Sequence, residues 1–169
     1  NVKETRILND TGSLEFDYPY DEKARLISQN MLVSVNGHIY EISRTTRNMN
    51  GADSLHVYGT PHFVYEAQKA FIPTIGDHIG KSSRYVLKQA IDIISKFKKS
   101  VGEKCIFHIM TNAELSEKGM KWVADDELLI DFFSTDKTNL WDVIKTIIEN
   151  LGRGEIFHET TIDSNNNIV

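Results

Sequence analysis

The chain has 169 residues, 40% hydrophobic and 25% charged, with a net charge of −5 and a pI near 5.7. That length holds one ordinary domain or two small ones with real apolar cores. The acidic balance argues against a protein that grips nucleic acid by its phosphates. No apolar run approaches the ~18 residues of a membrane-spanning helix, and the opening Asn1-Val2-Lys3-Glu4-Thr5-Arg6 has no signal-peptide character. No specific nucleic-acid binding and no membrane insertion are expected.

The first sixty residues read as β. Leu14, Phe16 and Tyr18 alternate with Glu15 and Asp17, the period of a half-buried strand ended by Pro19. Met31 to Val35 and His38 to Ile42 are two short strands separated by Asn36-Gly37, a pair suited to the positive φ angles of a tight hairpin turn. Arg44 to Gly51 is polar and reads as a loop or long hairpin tip, and Ser54 to Tyr58 as a further strand. Phe63, Val64, Ala67, Ala70 and Phe71 then recur at helical spacing, which predicts a helix over 62–72 between Pro61 and Pro73.

A long helix is predicted from Ser83 to Lys99, with Val86, Leu87, Ala90, Ile91, Ile94 and Phe97 on its apolar face. Ser82 or Ser83 can cap it, and Gly102 lies just past its end. The basic cluster Lys96-Phe97-Lys98-Lys99 sits where positive charge suits a helix C-terminus. Cys105 to Met110 reads as a strand, with Cys105, the only cysteine, as a buried inert thiol rather than a nucleophile. Lys121 to Val123 and Leu128 to Phe133 read as strands around the acidic turn Asp125-Asp126-Glu127. A last helix over 139–151 carries Leu140, Val143, Ile144, Ile147, Ile148 and Leu151, with Trp141 beside its apolar face and Gly152 as its stop. The fold class is therefore α+β: a β-barrel-like domain over 1–75 and a mixed α/β domain over 76–169. Asn167-Ile168-Val169 reads as the first step of a strand, so the second domain is expected to be truncated at its C-terminal end.

Gly76-Asp77-His78-Ile79-Gly80-Lys81-Ser82 looks like a phosphate-binding loop. The true pattern needs four residues between its first glycine and the Gly-Lys pair, and here there are three. Such a loop also follows a buried strand, whereas this one is predicted to follow a proline-ended helix. Six histidines, 38, 56, 62, 78, 108 and 158, form no His-Glu-x-x-His pattern and no i, i+4 histidine pair on a predicted helix. Asp77-His78 and His158-Glu159 could each join a site assembled in three dimensions. Asp125, Asp126 and Glu127 are adjacent on a turn, while paired acid/base work needs opposed groups. There is no Gly-x-Ser-x-Gly elbow. No catalytic, cofactor-binding or metal-ligating residues are assigned, and no cofactor is expected.

Four stretches carry a resemblance. They are Leu8-Asn9 with Gly12 to Phe16 and Pro19-Tyr20-Asp21; Asn30 to Val35 with Gly37 and Ile39 to Ile42; Leu55 to Gly59 running into His62 to Glu66; and Asn139 to Ile144 through Gly152, Gly154 to Ile156 and Asp163 to Ile168. Together they resemble the N-terminal half of the prophage endopeptidase-tail family, related in fold to the central hub of contractile-phage baseplates. The resemblance implies a structural virion protein, made in the bacterial host cytoplasm and built into the tail. It implies a homotrimer in the full-length protein, whose paired β-domains form a pseudo-sixfold ring. The implied partners are the distal tail protein or tail tube and the tape-measure protein. An acidic ring suits a lumen through which DNA passes without sticking. The peptidase activity for which the family is named belongs to a C-terminal region, so none is expected here. The alternative is a cell-wall hydrolase, a peptidoglycan endopeptidase domain, with a site assembled from His78, His158 and nearby carboxylates.

Overall fold

Alternating apolar residues build the first sheet of the computed structural model, which describes residues 2–49, 51, 53–122, 128–163 and 168. Strands β1 (Val2–Thr5), β2 (Ser13–Pro19), β3 (Leu32–Val35), β4 (His38–Asn48) and β5 (Ser54–Pro61) form one antiparallel sheet in the order β1-β2-β5-β4-β3. Leu14, Ile42, Leu55 and Val57 are buried, and a 3-10 turn (Ala24–Leu26) adds Ala24 to the core formed by Ile42, Leu55 and Val57. Asn36 and Gly37 make the predicted hairpin turn, with φ of 51° and 81°.

The sheet is curled into a half-barrel. Glu4 of edge strand β1 accepts hydrogen bonds from Tyr40 of β4 and from Asn36 Nδ2 in the β3–β4 turn (3.3 Å). These bonds reach from one side of the strand order to the other, although β1 and β3 form no ladder with each other among the described residues. The expected barrel is thus an open, curled sheet.

The expected loop over Arg44 to Gly51 is instead the second half of β4 as far as Asn48, paired with β5 from Arg44↔Tyr58 to Asn48↔Ser54 beyond a bulge after Ile42. Its polar sequence is accommodated because the arginines lie on aromatic faces. Arg44 lies 4.0 Å over the Tyr58 ring, and Arg47 lies 3.8 Å over the Tyr20 ring and pairs with Asp53.

The contacts divide the chain into two units, residues 1–66 with 157–169, and residues 67–156. The expected division at 75/76 therefore moves to 66/67, and the C-terminal segment returns to the first unit. Helix α1 (His62–Lys69) carries the chain across this boundary. It ends earlier than its apolar spacing predicts, and Phe71–Ile75 is strand β6. Pro73 explains both features: a proline biases its predecessor toward extended backbone, and the ladder of β6 with β9 passes over Pro73 and Lys137.

The second unit pairs β6 with β9 (Thr135–Asn139) and β7 (His78–Ser82) with β8 (Leu129–Phe132). Helices α2 (Ser83–Ser100) and α4 (Leu140–Leu151) pack on each other and on these strands. Val86, Ala90 and Ile94 of α2 are buried where the elements pack, as are Ile72, Ile130, Phe132, Leu140, Val143 and Ile147. Ser82 caps α2 by accepting from the Tyr85 amide, Asn139 caps α4 by accepting from Asp142, and Gly152 closes α4 with φ of 63°.

Cys105 to Met110 is not a strand, so Cys105 is half-buried rather than buried, and Lys121-Trp122 is not a strand either. The apolar run has no ladder partner among the described residues. The segment is held instead by Arg84, which donates to the Met110 carbonyl (2.9 Å) and to Asn112 Oδ1 (2.8 Å). It leads into a short helix α3 (Asn112–Glu117), opened by a reciprocal capping box between Thr111 and Glu114. The predicted acidic turn at 125–127 lies outside the described residues.

Candidate functional site

Three chemistry-bearing side chains of the first unit converge where β4 passes the start of α1. Glu41 on β4 and His62 at the first position of α1 are both buried, and the His62 Nδ1 lies 3.1 Å from a Glu41 carboxylate oxygen. Glu66 follows His62 by four residues on the same helix, so both project from one face. One donor atom each from Glu41, His62 and Glu66 lies within 4.8 Å of the other two. The sequence places them together for a local reason: Glu41 is the register partner of Thr60, two residues before His62. The other ring nitrogen of His62, Nε2, is buried and has no hydrogen-bond partner among the described residues.

The site rests on a His-x-x-x-Glu pair rather than on a histidine pair. The signal that finds it is His62 and Glu66 at i, i+4 on a predicted helix. Glu41 carries no such signal, because an acidic residue in a strand normally faces solvent.

The residues singled out for an assembled hydrolase site fall in different units. His78 lies on β7, its ring edge-on to Tyr85 at 5.5 Å. His158 belongs to the first unit and stacks on Phe63 at 4.9 Å, with 11° between the rings. Burial, reinforced by His38 and Arg6, lowers the pKa of His158 below its ordinary value. Asp77 accepts a hydrogen bond from the Ser134 amide.

The phosphate-loop look-alike does follow a strand, β6, contrary to expectation, but its own residues 78–82 are strand β7 rather than an open anion cradle. The Gly80 amide donates to Asp131 Oδ1 at 2.9 Å, so a carboxylate holds the position that phosphate would take.

An open groove of about 520 Å³ runs between α2 and the 105–110 segment, lined by Arg84, Tyr85, Lys88, Phe107, His108 and Ile109. Its polar groups serve the local structure. Arg84 holds Met110 and Asn112, and His108 faces Glu114 at 3.3 Å. The Thr111 amide and hydroxyl, with His108 adding to them, hold the Glu114 carboxyl down at about 2.

Neither a protein-family model nor a curated protein sequence matches the chain. A solved structure does match in fold: the prophage tail protein gp18 from Listeria monocytogenes EGD-e, with a TM-score of 0.51 and 14% sequence identity over 96% of this chain. The match covers 41% of that protein's chain. The α+β fold of this chain, with its curled sheet, is thus similar to that of part of this prophage tail protein.

Proposed function

We propose that this chain is a structural component of a phage or prophage tail, a subunit of the trimeric tail-tip or baseplate hub that joins the tail tube or distal tail ring to the tip. The observation that carries this reading is the fold likeness to a prophage tail protein along nearly the whole chain. The sheet edges support it. Both end strands, β1 and β3, present an unpaired side among the described residues. Each edge is flanked by exposed apolar residues, Ile7 and Leu8 after β1 and Met31 and Leu32 at the start of β3. Open edges with apolar flanks are surfaces that proteins cover, and a ring of identical subunits covers each with its neighbour. In this reading the distal tail protein or tail tube and the tape-measure protein are the partners, the virion tail is the location, and the chain's work is assembly rather than catalysis.

Light scattering on the full-length protein tests the reading. The expected mass is three times that of the chain. A stable monomer at high concentration counts against the hub. Cell-wall hydrolysis by the full-length protein that disappears in His158→Ala points to the hydrolase alternative instead.

A further inference from the structure

We infer that Glu41, His62 and Glu66 form a binding site for one divalent transition-metal ion. The three donor atoms lie mutually within 4.8 Å, close enough to share one ion. The donor set is one imidazole and two carboxylates, which suits Zn²⁺ or Mn²⁺; the nitrogen ligand disfavours Mg²⁺ and Ca²⁺, which take oxygen. Charge supports the assignment. A divalent ion bound to two carboxylates and a neutral imidazole gives a set with no net charge, the condition under which charged groups are tolerated away from water.

The ligands are also pre-positioned. His62 and Glu66 sit one helical turn apart on α1, and Glu41 is fixed by the β4–β5 ladder. His62 is 6% exposed, and one of its two ring nitrogens lacks a hydrogen-bond partner among the described residues while the other faces Glu41. Glu66 is only half-buried, so the site keeps one side toward water, from which an ion can enter and on which it can retain water ligands. A bound ion would clip the first turn of α1 to β4, where the chain leaves its first unit.

The experiment is a calorimetric titration of the chain, stripped with EDTA and returned to chelator-free buffer, with zinc chloride and separately with manganese chloride. One ion per chain is expected for at least one metal, together with a rise in melting temperature. Glu66→Gln keeps the side chain's shape and should weaken binding at least tenfold, since outer-shell partners alone are worth about 10–100-fold in metal affinity. Asp17→Asn is the control. It alters a carboxylate beside another histidine, His56, at 2.6 Å on the same sheet, and should leave the affinity unchanged. Wild-type protein that shows neither binding heat nor a melting shift with either ion overturns the assignment. Binding that survives Glu66→Gln intact, or that is lost in Asp17→Asn, overturns it as well. Should Glu66→Gln fail to fold, Glu41→Gln takes its place, and the wild-type titration still decides.

Discussion

The Tyr40 hydroxyl donates to the Glu4 carboxylate, joining β4 to edge strand β1 with β2 and β5 between them in the strand order. Arg6 and Asn36 donate to the same carboxylate. The bond to Tyr40 is the main reason that the Glu4 pKa is held down at about 2, with Arg6 and Asn36 adding to it. Burial first, then the bond to Glu4, pushes Tyr40 up to about 12. A carboxylate held below its ordinary 4.5 stabilises the fold above that pH, and its contribution is lost as pH falls from 4.5 toward 2. Glu4→Gln should therefore cost about 1 kcal/mol at neutral pH, less than the usual value of a charge-assisted bond because the site is partly solvated. The gap from wild type should shrink as the pH falls from 4.5 and close only at about 2. Glu114 is also held at about 2 and Asp53 is also lowered, but both remain in the variant, so the difference isolates Glu4. Urea melts across that range check it; a gap independent of pH contradicts the role given to Glu4.

Much of the fold was legible in residue order. The Asn36-Gly37 hairpin, the strand through Leu14, Phe16 and Tyr18, and both long helices rest on local chemistry that a sequence displays. What was illegible depended on partners distant in sequence. The polar half of β4 is a strand because β5 pairs with it and Tyr58 and Tyr20 lie under its arginines. Phe71 to Ile75 carries helical spacing, yet Pro73 and the distant strand β9 decide its state. The 105–110 run has strand composition but finds no ladder partner among the described residues. The capping box of Thr111 and Glu114 is legible as Thr-x-x-Glu. Two of the three candidate-site residues, His62 and Glu66, lie one helical turn apart; Glu41 joins them only through sheet register.

The Gly76–Ser82 segment should not bind nucleotide. The Gly80 amide is engaged by Asp131, a negative group where a phosphate would have to sit, and Lys81 is exposed near the Tyr85 ring at 5.6 Å. Calorimetry with ATP and magnesium should show no binding heat. Lys81→Ala should change stability by less than about 0.5 kcal/mol, as exposed substitutions do. Micromolar affinity abolished by that substitution would reverse the conclusion.

His158 gives the first unit a second pH dependence, of opposite chemical type to Glu4 but the same direction. Burial, then His38 and Arg6, lowers its pKa from the ordinary 6.5, so the unfolded chain takes up a proton at a pH where the folded one does not. Stability is full above 6.5 and falls as pH drops through the window below it. His158→Phe keeps an aromatic ring over Phe63 and removes the titration. Its melting temperature should fall less than that of wild type between about pH 7 and about pH 5. Parallel losses in the two proteins would assign the pH effect to other groups.

Helix α4 supplies the test of the second unit's core. Its buried residues are Leu140, Trp141, Val143, Ile144 and Ile147, while Ile148 and Leu151, expected on the same face, are only half-buried. The buried stripe is thus turned toward Trp141 and Val143, because α4 packs on α2 and β8 together. Ile147 is 6% exposed within that stripe. Ile147→Ala should cost about 2–5 kcal/mol, the range for emptying a buried aliphatic site. That is a large share of the ~5–15 kcal/mol that holds a typical domain together. If this face were a docking surface, the isolated chain would lose well under about 1 kcal/mol and the defect would appear in assembly instead. Urea melts of wild type and Ile147→Ala separate the two cases, and an unchanged midpoint would remove Ile147 from the core.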